Sequence, residues 1–235
     1  MTSAPKLLLL GLLSSAIVGA QAPSSFDAAS IKPNNSGARA GGVRSTPGRM
    51  VASNATARML LQEAYNVKAY QLSGGPGWSE SDRYDVEAKA NAGDTEDEMR
   101  SMLQRLLAER FKLTVHRETK EMQVYIIAVA KSGFKLHELK PGDPAPAPAP
   151  PKEGAVGTIV RTGPISDLAA ILTGPMGVPV LDRSGLQGKY FFDVAWGPDQ
   201  DMVTAVQEKL GLRLESQKAP IDLVVIDHIE KPDAN

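Results

Sequence analysis

The sequence predicts an α+β protein made of two similar small units, each with the element order strand-helix-strand-strand-helix-strand-strand. Helical and strand periodicities alternate along the chain, and the elements come in the same order in both halves. A stretch rich in proline and alanine lies between the two halves. Alternating proline cannot pair in a sheet and favours an extended spacer. We therefore expect a first unit at residues 26–139, a linker at 140–153 and a second unit at 154–231.

An internal duplication is suggested by two fixed shifts between the units. A shift of 108 residues places Leu60 on Leu168, and a shift of 99 residues places Leu103 on Met202. Few residues are identical, so the hypothesis depends on element order and apolar pattern. Two unrelated units with the same common elements remain the alternative.

The strongest helix signal begins at Thr95. Thr95 and Glu98 have the spacing of a capping box, in which each side chain accepts a hydrogen bond from the other residue's backbone. The apolar residues that follow repeat at helical spacing and form one face: Met99, Met102, Leu103, Leu106, Leu107 and Phe111. We also expect a helix capped by Thr56, a helix capped by Asp199 or Asp201, and a short helix over residues 167–172 capped by Ser166.

Each unit is expected to end in two strands joined by a turn. Residues 117–120 are charged or polar, and residues 217–220 contain a lysine and a proline; both compositions are typical of turns. The predicted strands around them are 113–116 and 122–130 in the first unit, and 212–215 and 221–229 in the second. Residues 34–48 are rich in Gly, Ser, Asn and Arg, and this composition predicts a loop.

Residues 1–22 have the features of a secretory signal peptide. Lys6 precedes an apolar stretch at residues 7–20, which is too short to span a bilayer comfortably. Small residues at Ala20 and Ala22 fit the cleavage rule, so we expect cleavage after Ala22. The mature protein is then secreted or periplasmic, with no membrane span. An N-terminal anchor that stays attached is the alternative.

Composition narrows the classes of function. The chain has no cysteine, which excludes disulfides, thiol catalysis and a lipid anchor on cysteine. Its formal charge is −1, so nothing indicates a nucleic-acid partner. The glycine-rich stretch at residues 73–77 lacks the G-K-[ST] ending of a phosphate loop. We expect no cofactor.

No group of residues has the spacing of a catalytic or metal site. His116, His137 and His228 are far apart in sequence, whereas zinc ligands commonly come in short-spaced pairs. Asp85 and Asp193 occupy equivalent positions, which suggests a carboxylate pair for acid–base catalysis, but a solvent-facing or turn-bonding role is favoured. We predict no catalytic residue and no metal. The alternative is a hydrolase or metal-dependent enzyme that uses carboxylates and His116 or His228.

Several blocks of the chain resemble a known family: FDAASIKP, GGPGWSESDRYDVEAKA, LLAERFKLTVHRETKEMQVYIIAVAKSG, VLDRSGLQGKYFFDVAW and LGLRLESQKAPIDLVVIDHIEKP. They are similar to the signature blocks of an uncharacterised family of secreted proteins, a domain of unknown function multiplied as paralogues in soil bacteria. The resemblance runs from Phe26 to the C-terminus, with Ala28 replacing an expected larger apolar residue. Fusion of some relatives to membrane-anchored sensor-peptidase domains implies extracytoplasmic sensing. The family provides no catalytic residue.

A weaker resemblance concerns the fold of each unit. The element order, with an L-G-L-x-L-E block after the second helix, is similar to the short N-terminal domain of secretins and TonB-dependent receptors. Those domains are periplasmic docking modules. This likeness is an analogy between folds, and it identifies no ligand.

We therefore predict an exported, non-enzymatic binding or protein-interaction module with an unknown protein partner in the cell envelope, acting in sensing or envelope assembly. The predicted contact surfaces are the turn with Trp78, Arg83 and Tyr84, and the equivalent turn with Leu186 and Tyr190. Core packing of Trp78 and Trp196 is the alternative, and it is the favoured one. Free sheet edges are further candidates, because they can accept a partner strand. A purely structural envelope protein is a third class.

Overall fold

The computed structural model describes residues 25–144, 146–150 and 153–233, and within them helices and strands alternate. The elements are β1 (Ala28–Pro33), β2 (Gly42–Thr46), β3 (Arg49–Thr56), α1 (Ala57–Tyr65), a 3₁₀ turn (Ala69–Gln71), β4 (Leu72–Gly74), α2 (Trp78–Ser81), β5 (Arg83–Lys89), α3 (Glu96–Arg110), β6 (Thr114–Val129), β7 (Glu138–Leu139), β8 (Gly157–Gly163), α4 (Ile165–Met176), β9 (Val180–Asp182), β10 (Lys189–Trp196), α5 (Met202–Leu210) and β11 (Leu212–His228). This mixture confirms the α+β class. The predicted signal peptide at residues 1–22, with its cleavage site, lies outside the described residues. None of the described helices has the length and apolar character needed to cross a membrane.

The strands form three sheets, and two of them contain strands of both predicted units. We call residues 26–139 the first half and residues 154–231 the second half. The first-half sheet has the order β1-β5-β3-β2. The sheet that we call the second-half sheet has the order β7-β10-β8, and its two-residue strand β7 comes from the end of the first half. The shared sheet has the order β4-β11-β6-β9, with β4 and β6 from the first half and β9 and β11 from the second. The halves are thus joined in space, while their boundaries along the chain stay a prediction.

The two outer strands of the shared sheet, β9 and β4, pair with their neighbours in equivalent registers. Strand β9 pairs with β6 in parallel, with Val180 beside Tyr125. Strand β4 pairs with β11 in parallel, with Leu72 beside Val224. Val224 lies 99 residues after Tyr125, and Leu72 lies 108 residues before Val180, which are the two shifts found in the sequence. Each half therefore gives its short strand to the long strand of the other half. Common descent of the halves stays a prediction.

The prediction of two strands and a turn at the end of each half is wrong, because β6 and β11 are continuous strands. They pair antiparallel along almost their whole length. In the middle, each has only the other as a neighbour, so residues 117–120 and 217–220 are extended yet largely exposed. Pro220 has no N–H to donate, and β4 pairs with β11 only from Val224 onward. A proline is tolerated at such an unpaired position.

Two large hydrophobic cores lie against the shared sheet, and each contains side chains from both halves. The first core packs α1 and α3 against the first-half sheet and includes Val224, Ile226 and Ile229 of the second half. The second core packs α4 and α5 against the second-half sheet and includes Ile127 of the first half. Val224 and Ile127 are completely buried. Neither core is complete without the other half of the chain.

The helix caps agree with the sequence in three of four cases. The Thr56 hydroxyl accepts from the Met59 amide, and the Asp201 carboxylate accepts from the Thr204 amide. The capping box at Thr95 is confirmed. The helix predicted at residues 167–172 is longer, since α4 begins after Pro164 and continues to Met176. Proline is disfavoured within a helix, but Pro175 falls in the last turn, where few carbonyls have helical partners.

The loop predicted at residues 34–48 contains a strand. Residues 42–46 form β2, which pairs antiparallel with β3. The composition of this stretch disfavours a strand, but β3 presents a free edge at this point. Pairing with that edge determines the local structure, because strand preference depends strongly on tertiary context.

Candidate functional site

Trp78 and Arg83 are held by the surrounding chain. Trp78 begins α2 and is partly buried against the first core. The Lys231 ammonium lies 5.7 Å from the centroid of its ring and 2.7 Å from the Asp82 carboxylate. Arg83 donates a 3.1 Å hydrogen bond to the Asn54 carbonyl. The C-terminal segment therefore covers part of the surface predicted around Trp78.

The two predicted contact tyrosines are core residues, which corrects their assignment to a contact surface. Tyr84 is 3% exposed and packs edge-on against Phe111, with 5.5 Å between ring centroids. Tyr190 is also 3% exposed and packs edge-on against Phe134. Burial raises the pKa of both hydroxyls. Leu186 is partly buried against the second core. The alternation of buried and outward residues in β5 and β10 is the signal that could have placed these tyrosines inside.

The histidines form two separate pairs with carboxylates. His116 Nδ1 lies 2.7 Å from Asp227 Oδ1, and His228 Nε2 lies 2.8 Å from Glu230 Oε1. All four side chains are roughly half exposed. Over the described ranges, no three His, Asp or Glu side chains are arranged to hold a metal ion. The enzyme hypothesis with His116 or His228 therefore stays a prediction from the sequence.

The Asp85 side chain stabilises a β-bulge in the pairing of β3 with β5. Its carboxylate accepts two hydrogen bonds from the Asn34 amide group, at 2.8 and 2.9 Å, and one from the Asn54 backbone N–H at 2.9 Å. Asn54 has a left-handed φ of 49° where the pairing of β3 with β5 shifts register. The Asn54 amide, and then the Asn34 side chain, hold the pKa of the Asp85 carboxyl below its usual value. This carboxylate has the turn-bonding role that the sequence favours.

Asp193 belongs to a different sheet and has a different partner. It lies on β10, and its carboxylate accepts a 2.5 Å hydrogen bond from the Ala149 N–H of the Pro/Ala-rich segment. Asp85 thus fixes a segment of the first half, whereas Asp193 fixes a segment of the predicted linker. The predicted carboxylate pair is not formed.

Replacing Asp85 by asparagine is expected to reduce stability in a pH-dependent way. The folded-state pKa is lowered, so the contribution of Asp85 is fully present above the unfolded-state pKa, near 3.9. It is lost as the pH falls through the folded-state value. At pH 7, Asp85→Asn should cost about 1–2 kcal/mol, because an amide group would face the donors of Asn34 and Asn54. Urea unfolding should show this difference shrinking below about pH 4.

Asp193→Asn is the matched control for that experiment. Its carboxylate has a single hydrogen-bond donor in the described structure, the Ala149 amide. Its free energy of unfolding should change less at pH 7 than that of Asp85→Asn. Equal losses, or a difference for Asp85→Asn that is unchanged at low pH, would show that the bulge does not depend on the Asp85 charge.

The free edge of β8 is an open strand surface that carries exposed apolar side chains. Strand β8 pairs with β10 on one side, and no other strand of the described residues pairs with it on the other. Two large apolar side chains are exposed here, Val160 within β8 and Val156 just before it, at 46% and 74%. Exposed apolar side chains beside an unpaired backbone edge are typical of a strand-accepting surface.

A comparison with the first half shows what β8 lacks. Strands β3 and β8 each precede the first long helix of their half, and each pairs antiparallel with the second strand after it, β5 or β10. The outer edge of β3 is covered by β2, whereas that of β8 is not. The chain before β8 is rich in proline, which has no N–H for a sheet ladder. Over the residues that the structure describes, the second half therefore supplies no strand to this edge.

The other sheet edges are short or carry charged residues and prolines. The long open edges of β6 and β11 pass through the mostly charged residues 117–120 and through Lys218 and Pro220. Strands β4 and β9 have three residues each, and β7 has two. Strand β1 carries Lys32 and Pro33 at its end, and β2 has five residues with Arg44 at its centre. Charges, prolines and short length all discourage pairing with another chain. With seven residues, several of them β-branched, β8 is the edge best suited to accept a strand.

Comparison with known proteins gives a family for the chain. A family model described as "Protein of unknown function (DUF3738)" matches residues 58–229, which is more than half of the chain. The chain belongs to the DUF3738 family. No curated protein and no solved structure matches it. The DUF3738 match contains β8, β10 and the whole shared sheet, and it confirms the uncharacterised family suggested by the sequence blocks. The soil-bacterial origin and the likeness to secretin domains stay predictions.

Proposed function

We propose that this DUF3738 protein is an exported, non-enzymatic protein-interaction module that binds its partner through the free edge of β8. The open edge with Val160 exposed on it carries the proposal. Adding a strand would satisfy the unpaired backbone groups of β8 and cover the exposed valine. Export is supported by the signal-peptide features of residues 1–22.

A second copy of the chain is the partner that fits this edge. In an antiparallel pairing centred on Val160, each Val160 lies opposite Val160 of the second copy. Arg161 then lies opposite Ile159, and Thr162 opposite Thr158. No like charges face each other in this register, whereas a pairing centred on Arg161 would place two arginines opposite one another. Self-association by this edge is compatible with either predicted role, extracytoplasmic sensing or envelope assembly.

Val160→Lys is expected to convert a dimer of the mature chain into a monomer. The substitution places two lysines opposite each other at the centre of the pairing, so the dissociation constant should rise at least tenfold, about 1.4 kcal/mol. Sedimentation equilibrium over a range of protein concentrations measures this change. Gln207→Lys is the control, because it adds the same charge on an exposed position of α5.

Two outcomes would contradict the proposal. A wild-type chain that is monomeric at every concentration would exclude a second copy, and the edge would then need a strand from another envelope protein. A dimer that tolerates Val160→Lys as well as Gln207→Lys would place the interface elsewhere.

A further inference from the structure

An arginine of the first half fills the gap between α1 and β4. Arg58, in the first turn of α1, donates from Nη1 to the Gly74 carbonyl at 2.9 Å and from Nη2 to the Leu72 carbonyl. Its Nε lies 3.3 Å from the Glu80 carboxylate, and the side chain is only 16% exposed. The guanidinium therefore satisfies carbonyls on the outer side of β4, the side away from β11.

The corresponding position in the second half is a serine. The 108-residue shift that places Leu72 on Val180 and Gly74 on Asp182 places Arg58 on Ser166, in the first turn of α4. A serine side chain has one heavy atom beyond Cβ, so it cannot extend across to β9 as Arg58 extends to β4. Ser166 therefore does not fill the gap between α4 and β9.

The carbonyls of Val180 and Asp182 face this gap. The Pro179 carbonyl and the Arg183 amide bond to β6, at 2.9 and 3.0 Å. Because backbone groups alternate along a strand, those of Val180 and Asp182 point away from β6. The Val180 N–H confirms this direction, since it donates to the Thr173 hydroxyl of α4 at 3.1 Å. Within the described ranges, no hydrogen bond reaches the carbonyl oxygen of Val180 or Asp182.

A cavity of about 320 Å³ occupies the gap, which we call the α4–β9 cleft. This volume is within the range of small-molecule sites. Its walls include the small or aliphatic side chains Ala169, Ala170 and Leu181. Two cations, Lys68 and Arg183, and one carboxylate, Asp182, also line it. Lys68 comes from the first half, so the cleft lies where the two halves meet.

We propose that the α4–β9 cleft binds a ligand in which a guanidinium is joined by a short aliphatic chain to a carboxylate, as in arginine. The guanidinium takes the place that Arg58 has in the first half and donates to the carbonyls of Val180 and Asp182. The aliphatic chain packs on Ala169 and Ala170, and the carboxylate pairs with Lys68 and Arg183. A cation without the carboxylate would leave these two positive charges unbalanced.

Two kinds of ligand combine a guanidinium with a carboxylate in this way: free arginine and the C-terminal arginine of a peptide. The mature chain is titrated with L-arginine, with Nα-acetylarginine and with agmatine, which lacks the carboxylate. Amide NMR shifts of Val180, Asp182 and Arg183 report binding. We expect one or both carboxylate-bearing compounds to bind, and agmatine to bind about tenfold more weakly or not at all. Binding of Nα-acetylarginine identifies a peptide C-terminus, and binding of L-arginine alone identifies the free amino acid.

Ser166→Arg tests the position of the site. The new side chain should fill the cleft as Arg58 fills its counterpart, abolish the ligand-induced shifts, and raise the unfolding temperature of the ligand-free chain. Ser166→Ala, which keeps the cleft open, should bind as the wild type does. The proposal is overturned if neither carboxylate compound shifts these amides, if agmatine binds equally well, or if Ser166→Arg leaves binding unchanged. None of these results depends on the β8 edge.

Discussion

Residues 25–139, expressed without the rest of the chain, are expected to remain unfolded. Three buried aliphatic side chains of the first core, Val224, Ile226 and Ile229, come from the second half. Truncating one such side chain costs about 2–5 kcal/mol, and a whole domain is stable by about 5–15 kcal/mol. The fragment would also lose β11, which lies between β4 and β6 in the shared sheet. Circular dichroism and urea unfolding would show little structure and no cooperative transition.

Mixing the two fragments is the control. A fragment of residues 25–144 combined with one of residues 153–233 should recover strand signal and a cooperative transition, because together they rebuild β6 with β11 and both cores. Cooperative unfolding of residues 25–139 alone would show that the first half is an independent domain, as the sequence suggests.

Gly211→Ala is expected to be the most destabilising of the glycine-to-alanine changes at helix ends. Gly211 ends α5 with φ of +68°, a conformation that costs a residue with a Cβ about 1–2 kcal/mol. An added Cβ would also lie 2.2 Å from the Gly133 carbonyl oxygen and 2.8 Å from the Lys135 amide nitrogen. Both obstacles are backbone atoms, so the loop must move. The total loss should reach about 3 kcal/mol or more.

Gly177 provides a closely matched control. It ends α4 with the same φ of +68°, but an added Cβ would meet no atom within 4 Å. Gly177→Ala should therefore cost only the conformational part, about 1–2 kcal/mol. Urea unfolding of both variants separates the two contributions. If both variants lose the same free energy of unfolding, the segment around Gly133 moves aside without a measurable energetic penalty.

The helix caps and the apolar helix face could be predicted because each depends on residues that are close together in the sequence. A cap such as Thr95 with Glu98 involves residues three positions apart, and the apolar face of α3 repeats every three or four residues. Such interactions form wherever the segment is placed. The same holds for Thr56 and Asp201. The inward positions of Tyr84 and Tyr190 follow from strand alternation, whereas the glycine-containing turns beside them predict a contact surface.

Long-range pairing explains what could not be predicted. Residues 117–120 are polar and resemble a turn, yet they are extended because β11, about a hundred residues away, pairs with them. Likewise β2 forms in an apparent loop because β3 offers an edge. The open edge of β8 and the α4–β9 cleft are recognised only when the two folded halves are compared. By itself the sequence determined the α+β class, the main helix caps and the corresponding order of the halves, since these depend on neighbouring residues. Only the tertiary structure decided that the halves exchange strands and which surfaces remain open, because burial and pairing depend on residues distant in the chain.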